Sequence, residues 1–222
     1  MTKSQILQVP YYIQPTSNTC QSTVLKMYAV YLANSYRMSS IGANKSIRAI
    51  QRELKTAKGR PVKDKKKGYL YHVNLMWWME KYFWFLNFSK ITTTNKKKAI
   101  KKIEFSIDKG FPVIISTSHS RTKGHIILGV GYEKIWIDGQ WKTSFICHDP
   151  YGKFNPSLKS NLFGNSNRKR KKRVNRFTTG MSLLDGSYQG PGMAVAYNVR
   201  GVMRARKRDK RYGNFELISP MF

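Results

Sequence analysis

Apolar residues in the N-terminal half of the chain recur with the period of a helix. Between Cys20 and Leu32 they fall on one side of a helical repeat. The polar run at 16–19, directly before them, supplies N-cap candidates. The stretch 5–14 around Pro10 is expected to be extended, because a proline disfavours helix in the residue before it. We therefore predict a buried helix that begins at or beside Cys20.

Two more helices are predicted further along the chain. One spans 44–57 and the other spans 95–110, where isoleucines face one side, lysines face the other, and Gly110 ends the helix. Between them lie a charged loop at 58–68 and an aromatic stretch at 69–88, part helix with a strand at its end. Core packing is the preferred interpretation of its rings, with one or two lining a groove. These rings are Trp77, Trp78, Tyr82, Phe83 and Trp84.

The pattern changes to strands after residue 111. Short β-branched segments are predicted as strands, and Asp138-Gly139 between two of them is a hairpin turn signal. The segments are 112–118, 125–133, 135–137 and 141–149. Helices followed by an antiparallel sheet predict an α+β fold.

The C-terminal part of the chain differs in composition. Residues 159–176 carry eight Lys or Arg and no acid, and residues 200–211 carry seven basic residues against one Asp. We therefore divide the chain into a domain at 1–157 and a basic C-terminal segment at 158–222. This segment either completes part of the sheet or extends to a partner. An apolar run within 186–202 is a candidate for a further strand.

The charge balance favours anionic partners. Among 222 residues, 41 Lys and Arg stand against 11 Asp and Glu, which gives a formal net charge of +30. Such a field attracts polyanions. Candidate partners are nucleic acid, an anionic bacterial wall polymer, or the acidic surface of another protein. A basic proteome, in which lysine is the default surface residue, is the alternative.

Targeting and redox signals are sparse. The two cysteines, Cys20 and Cys147, allow no disulfide framework and show no paired metal-binding spacing. Residues 1–14 lack the apolar core of a secretory signal, and no apolar run is long enough for a membrane span. We expect synthesis in the cytoplasm without a signal peptide, and no membrane span.

Three residues far apart in sequence are candidates for cysteine chemistry. The unpaired N–H groups at a helix start favour the thiolate of Cys20. A cysteine nucleophile needs a base, and His125 opens a predicted strand after Gly124. Asp149, at the end of another predicted strand, can orient the imidazole. Singly, each has a plain interpretation: a buried cysteine, a strand-end histidine and a turn aspartate.

Three blocks in order resemble the C39-like branch of papain-like cysteine peptidases. They are Gln14 six residues before Cys20, GHIILGVGY at 124–132, and HDPYG at 148–152, within a region of roughly residues 5–155. The resemblance implies that Cys20 is the nucleophile, His125 the base and Asp149 its orienter. Gln14 would then stabilise the oxyanion together with the backbone N–H of the cysteine.

The residue after the cysteine departs from the family pattern. Members usually carry glycine there, and this chain has Gln21. Two interpretations stay open: a narrower substrate groove, or a degenerate copy that binds without cutting.

A zinc site built from His119, His125 and His148 with Cys147 or Asp149 is disfavoured. Alternation along a strand would place Cys147 and Asp149 on one face and His148 on the other. No metal and no other cofactor is expected.

The dense basic runs predict a polyanion-binding patch, with a solvated tail as the alternative. The residues concerned are Arg168, Lys169, Arg170, Lys171, Lys172, Arg173, Arg204, Arg206, Lys207 and Arg208.

The predicted fold is therefore α+β and papain-like, with N-terminal helices packed on an antiparallel sheet and a basic C-terminal extension. The leading functional hypothesis is a cysteine peptidase or amidase that cleaves a peptide or peptidoglycan and is incorporated in a bacteriophage particle. The alternative is a catalytically degenerate virion protein that contacts nucleic acid or other virion proteins through its basic C-terminal part. A cytoplasmic maturation protease is a third hypothesis.

Overall fold

The structure is a computed structural model that describes the chain in eight stretches: residues 2–12, 14–16, 18–37, 40–56, 72–117, 125–150, 195–198 and 215–222. The helices in these stretches are α1 (Cys20–Tyr36), α2 (Ser40–Asn44), α3 (Ile47–Thr56), α4 (His72–Tyr82) and α5 (Lys96–Asp108). The strands are β1 (Thr2–Ile6), β2 (Phe88–Thr93), β3 (Val113–Thr117), β4 (His125–Ile137), β5 (Gln140–His148), β6 (Val195–Asn198) and β7 (Phe215–Pro220).

The strands form one antiparallel sheet in the order β2-β7-β3-β4-β5-β6. The long strand β4 organises it. Its first half pairs with β3, with Thr117 opposite His125, and its second half pairs with β1, with Ile6 opposite Gly131. Strand β5 pairs along the other edge of β4. The predicted mixture of helices and antiparallel sheet is thereby confirmed.

The hairpin between β4 and β5 forms at the predicted turn. Asp138 and Gly139 both have positive φ, at 52° and 72°, the conformation that a two-residue type I′ turn needs. The two strands predicted at 125–133 and 135–137 are one continuous strand, because the backbone at Lys134 keeps its pairing with β5 and β1.

The helices α1 and α5 correspond to predicted ones. Helix α1 begins at Cys20 and ends before Arg37, which takes a left-handed φ of 50°. Helix α5 begins after Asn95, whose side chain accepts a hydrogen bond from the Lys98 N–H at 3.0 Å. Gly110 follows its end with φ +84°, as expected for a glycine that terminates a helix.

The aromatic stretch is divided between α4 and β2. Trp78 and Phe83 are fully buried, as the core-packing interpretation predicted. That interpretation is wrong for Trp84, which is 78% exposed, because the chain leaves α4 there and turns toward β2. Trp78 and Tyr82 donate hydrogen bonds to Glu53 of α3, at 3.0 and 2.7 Å, and so tie the two helices together.

Two strands come from the C-terminal part of the chain. Strand β6 lies within the apolar run predicted as a candidate strand and pairs with β5. Strand β7, which the pattern did not predict, lies between β2 and β3. The two basic runs lie outside the described residues, and the domain division at 157/158 stays a prediction.

Candidate active site

Cys20 is the first residue of α1 and is partly buried. The preceding Thr19 does not cap the helix with its side chain. Its hydroxyl donates instead to the carbonyl oxygen of Thr16 at 2.8 Å. The Thr19 hydroxyl therefore accepts no hydrogen bond from the backbone N–H groups in the first turn of α1. These N–H groups and the helix dipole favour a negative charge at the start of the helix, where Cys20 lies.

Gln14 is buried in the loop that leads to α1. Its Nε2 donates to the carbonyl oxygen of Thr16 at 2.5 Å, the same oxygen that Thr19 contacts. Since an amide nitrogen carries two hydrogens, this bond leaves a second N–H on Gln14 for another acceptor. The amide is thus oriented by the loop that also sets the start of α1.

His125 and Asp149 form a buried pair. Nε2 of His125 lies 2.6 Å from Oδ1 of Asp149, and both side chains are almost inaccessible to solvent. Antiparallel pairing explains the contact, because Leu128 of β4 lies opposite His148 at the end of β5. Leu128 and His148 share one face of the sheet, and side chains alternate between faces along a strand. His125, three residues before Leu128, and Asp149, one residue after His148, therefore both lie on the opposite face.

The His125 imidazole is held in its charged form. Burial alone lowers the pKa of His125, but the charge of Asp149 and the hydrogen bonds with Asp149 and Cys20 outweigh burial and raise the pKa to about 10. Asp149 engages Nε2 of His125, and the other ring nitrogen, Nδ1, is also buried. Cys20 raises the pKa of the same imidazole that Asp149 contacts, so cysteine, histidine and aspartate are neighbours in the order that nucleophilic catalysis needs.

Tyr11 and Gln14 tie the segment before α1 to the turn after β5. The Tyr11 hydroxyl donates to the carbonyl oxygen of Asp149 at 2.9 Å, and the Gln14 N–H donates to the carbonyl oxygen of Pro150 at 3.1 Å. Burial, together with the charge of Asp149, raises the pKa of Tyr11, so the phenol stays protonated and can donate. Sequence reasoning missed Tyr11, since a tyrosine after a proline carries no motif.

The neighbouring residues of β5 belong to other environments. Burial raises the pKa of Cys147, which keeps this second thiol protonated and unreactive. The His148 ring meets the edge of Tyr11 at 5.5 Å between centroids. Burial lowers the pKa of His148 to about 3, although a hydrogen bond to the Pro10 carbonyl opposes the shift. His148 is therefore a neutral core residue.

The remaining candidates fall into three groups. Gln21 is partly buried in the first turn of α1, next to Cys20. The described stretches contain no cluster of three or more His, Cys, Asp or Glu side chains that could hold a metal ion, and His119 lies outside them. The polyanion candidates at 168–173 and 204–208 also lie outside the described residues, so the patch stays a prediction.

A mixed helix and antiparallel-sheet fold, with a cysteine at a helix start facing a buried His–Asp pair, is typical of cysteine peptidases. Residues 6–172 match the family described as the Peptidase_C39 like family. The chain belongs to this family, and the resemblance seen in its sequence is confirmed. A search of the curated proteins finds no significant match. Among the described helices, none combines the length and apolarity needed to cross a membrane.

Proposed function

We propose that the protein is a cysteine peptidase or amidase that cleaves an amide bond through a thioester. Cys20 is the nucleophile, His125 the acid and base, Asp149 the group that orients the imidazole, and Gln14 an oxyanion donor. The observation that supports this most directly is the buried 2.6 Å contact between His125 and Asp149, with Cys20 near enough to the same imidazole to raise its pKa. Membership of the Peptidase_C39 like family supports the same activity.

Acylation begins from the thiolate and imidazolium pair. Sγ of Cys20 attacks the carbonyl carbon, and the carbonyl oxygen becomes an oxyanion. The second N–H of the Gln14 amide and the backbone N–H of Cys20 stabilise that charge. As the C–N bond breaks, Nδ1 of His125 protonates the departing amine, which leaves a thioester and a neutral imidazole.

Deacylation uses the same groups in reverse. The neutral imidazole accepts a proton from water, and the hydroxide formed attacks the thioester carbonyl carbon. The second oxyanion collapses, the C–S bond breaks, and a carboxylic acid leaves. Asp149 holds the ring orientation through both steps, and its charge favours each imidazolium stage.

The test compares the two cysteines of the chain. Wild type, Cys20→Ala and Cys147→Ala are incubated with a mixture of peptides, and new termini are read by mass spectrometry. Cys20→Ala is expected to release none, whereas Cys147→Ala keeps the wild-type products because its thiol is buried and protonated. Cleavage by Cys20→Ala, with folding matched by circular dichroism, would refute the assignment.

The charge of the chain supports one substrate class. A net charge of +30 concentrates the protein on anionic polymers, and an anionic bacterial wall contains peptide crosslinks. We infer peptidoglycan peptides as the substrate, with a bacteriophage particle as the carrier. Purified peptidoglycan that yields new muropeptides with wild type but not with Cys20→Ala would support this. Cleavage confined to soluble peptides would contradict it.

Gln21 favours a second candidate, a degenerate copy that binds peptides or virion proteins without cutting. A glutamine in the first turn of α1 brings a polar side chain to the place where the family usually has glycine. Gln21→Gly separates the two candidates. New turnover in this variant, when wild type has none, would indicate a blocked site. Turnover by wild type would exclude the degenerate copy.

A further inference from the structure

The outer face of α5 carries a stripe of lysines that includes an exposed phenylalanine. Lys97, Lys101 and Phe105 of α5 and Lys109 directly after its last residue follow one another at a spacing of four residues and are all exposed. Residues at this spacing lie on the same side of a helix. The opposite side, with Ile103 and Ile107, is buried in the core. The stripe is therefore a solvent-facing surface on a fixed helix.

Three further rings extend this stripe. Phe105 meets Phe222 edge to face at 5.9 Å, Phe222 lies 5.1 Å from Phe111, and Phe111 stacks on Tyr36 at 5.1 Å with only 11° between the planes. Phe105, Phe222 and Tyr36 are 44%, 56% and 39% exposed. We call the set Lys97, Lys101, Phe105, Lys109, Phe222 and Tyr36 the lysine–aromatic surface.

The acidic residues of α5 do not neutralise the stripe. Glu104 is turned inward and lies 2.6 Å from Lys134 of β4. Asp108 accepts a hydrogen bond from the Tyr132 hydroxyl at 2.6 Å. Glu104 is therefore neutralised by Lys134, whereas Asp108 keeps its charge at the exposed end of the helix. The six lysines within residues 96–109 outnumber these two acids, so the outer face stays positive.

The N-terminal turn of α5 also favours an anionic ligand. Its first three residues are lysines, and it has no acidic residue. Positive charges at a helix N-terminus interact unfavourably with the helix dipole. If only the stability of the helix mattered, acidic residues would be expected there. A polyanion lying along the stripe would relieve this repulsion.

We propose that the lysine–aromatic surface binds single-stranded nucleic acid, an activity separate from amide cleavage. The lysines contact phosphates, and unstacked bases pack on the exposed rings. A membrane fits less well, because the apolar face of α5 is already buried and cannot insert among lipids. A polyphosphate has no bases, so it would contact the lysines of this surface but not its aromatic rings.

The test measures binding of the full chain to a fluorescein-labelled oligothymidylate of about twelve nucleotides, within the usual site size for single strands. The double variant Lys97→Gln/Lys101→Gln is compared with Lys3→Gln/Lys55→Gln, which removes the same charge from exposed lysines elsewhere. The first pair is expected to weaken binding and to reduce the slope of log affinity against log salt by about 1.4, whereas the control pair stays near wild type. Equal effects of the two pairs would overturn the proposal.

A ring variant tests the stacking. Phe105→Ala is expected to weaken oligothymidylate binding about five- to a hundredfold. The control Trp84→Ala removes an exposed ring elsewhere and is expected to leave binding unchanged. The proposal fails if Phe105→Ala binds like wild type, or if inorganic polyphosphate competes as well as the oligonucleotide per phosphate. Binding to phosphatidylglycerol vesicles that depends on Phe105, without oligonucleotide binding, would assign the surface to a membrane instead.

Lys97→Glu separates loss of binding from loss of structure. An acid in the first turn of α5 complements the dipole, so the melting temperature is expected to rise. The same change is expected to weaken oligothymidylate binding more than Lys97→Gln does. A more stable variant with unchanged affinity would show that Lys97 does not contact the ligand, and would count against the proposal.

Discussion

Asp149 is held from two directions. Its side chain contacts His125 and its carbonyl oxygen accepts from Tyr11, while the next residue, Pro150, accepts from the Gln14 N–H. The proposed oxyanion donor and the proposed orienting carboxylate are thus attached to each other through the backbone. A shift of one would move the other, since hydrogen bonds of this kind transmit small displacements in a close-packed interior.

Replacing Gln14 tests the oxyanion role. Gln14→Ala is expected to lower kcat by about a hundred- to a thousandfold, because one donor to the developing charge is lost. Alkylation of Cys20 by iodoacetamide should stay unchanged, since that reaction forms no oxyanion. The matched control is Gln51→Ala, which removes a glutamine whose Nε2 donates to the Asn18 carbonyl at 3.1 Å in the same loop. Equal kcat values for the two variants would contradict the role.

His148 predicts an acid-sensitive core. Its pKa is about 3 in the folded chain against an ordinary value of 6.5, so the unfolded chain binds a proton there first. This contribution to stability is complete above pH 6.5 and is lost as pH falls toward 3. At pH 4 the loss should amount to roughly 3 kcal/mol. His148→Gln keeps an N–H donor for Pro10 and removes the titration.

Urea unfolding at pH 7 and pH 4 measures this effect. Wild type should lose more stability than His148→Gln over the same interval. A loss of the same size in both proteins would assign the acid sensitivity to other groups.

At the scale of elements, sequence periodicity predicted α1, α5 and the β4–β5 hairpin, because each has a clear apolar face or a specific turn pair. It missed β1, which is short and mostly polar and exists as a strand only through its pairing with β4. It also missed β7, where Glu216 interrupts the apolar pattern. That carboxylate is buried in the sheet and lies 3.7 Å from Lys90 of β2, a partner that no local pattern reveals.

Gly131 marks the junction between β1 and β4. A Cβ at this position would lie 2.6 Å from the Gln5 carbonyl oxygen and 3.2 Å from Cα of Ile6. Because backbone would have to move, Gly131→Ala is expected to cost about 1–3 kcal/mol. Gly129→Ala is the control, since the tightest contact of its Cβ would be the flexible Cδ1 end of Ile115 at 3.0 Å, and the nearest backbone atom, the Val113 carbonyl oxygen, would lie at 3.5 Å. Urea unfolding that ranks Gly129→Ala as the more damaging change would contradict this account.

At the scale of the whole molecule, the sheet depends on the last strand of the described chain. Strand β7 pairs with β2 on one side and β3 on the other, and Phe215, Leu217 and Ile218 are buried. The residues of the candidate site could be proposed from three local blocks, because each of them sits in its own motif. The position of β7 could not be predicted from the sequence, since it depends on pairing with residues far away in sequence.

Ending the chain at residue 214 is therefore expected to abolish cooperative folding, because β2 loses its neighbour in the sheet. Ending it after Pro220 removes only Met221 and Phe222, both largely exposed, and should preserve the transition. Thermal unfolding followed by circular dichroism distinguishes the two. A sharp transition in the shorter chain would show that the fold does not need β7.

The reaction of Cys20 with iodoacetamide tests the central claim most directly, since it requires no knowledge of the substrate. Mass spectrometry assigns the label to Cys20 or Cys147 over a range of pH. With an imidazolium beside it, Cys20 should react readily at pH 6, and His125→Gln or Asp149→Asn should slow the reaction at least about tenfold. If wild type and both variants label Cys20 at the same slow rate at pH 6, rising with pH as in a free thiol, the proposed nucleophile is wrong.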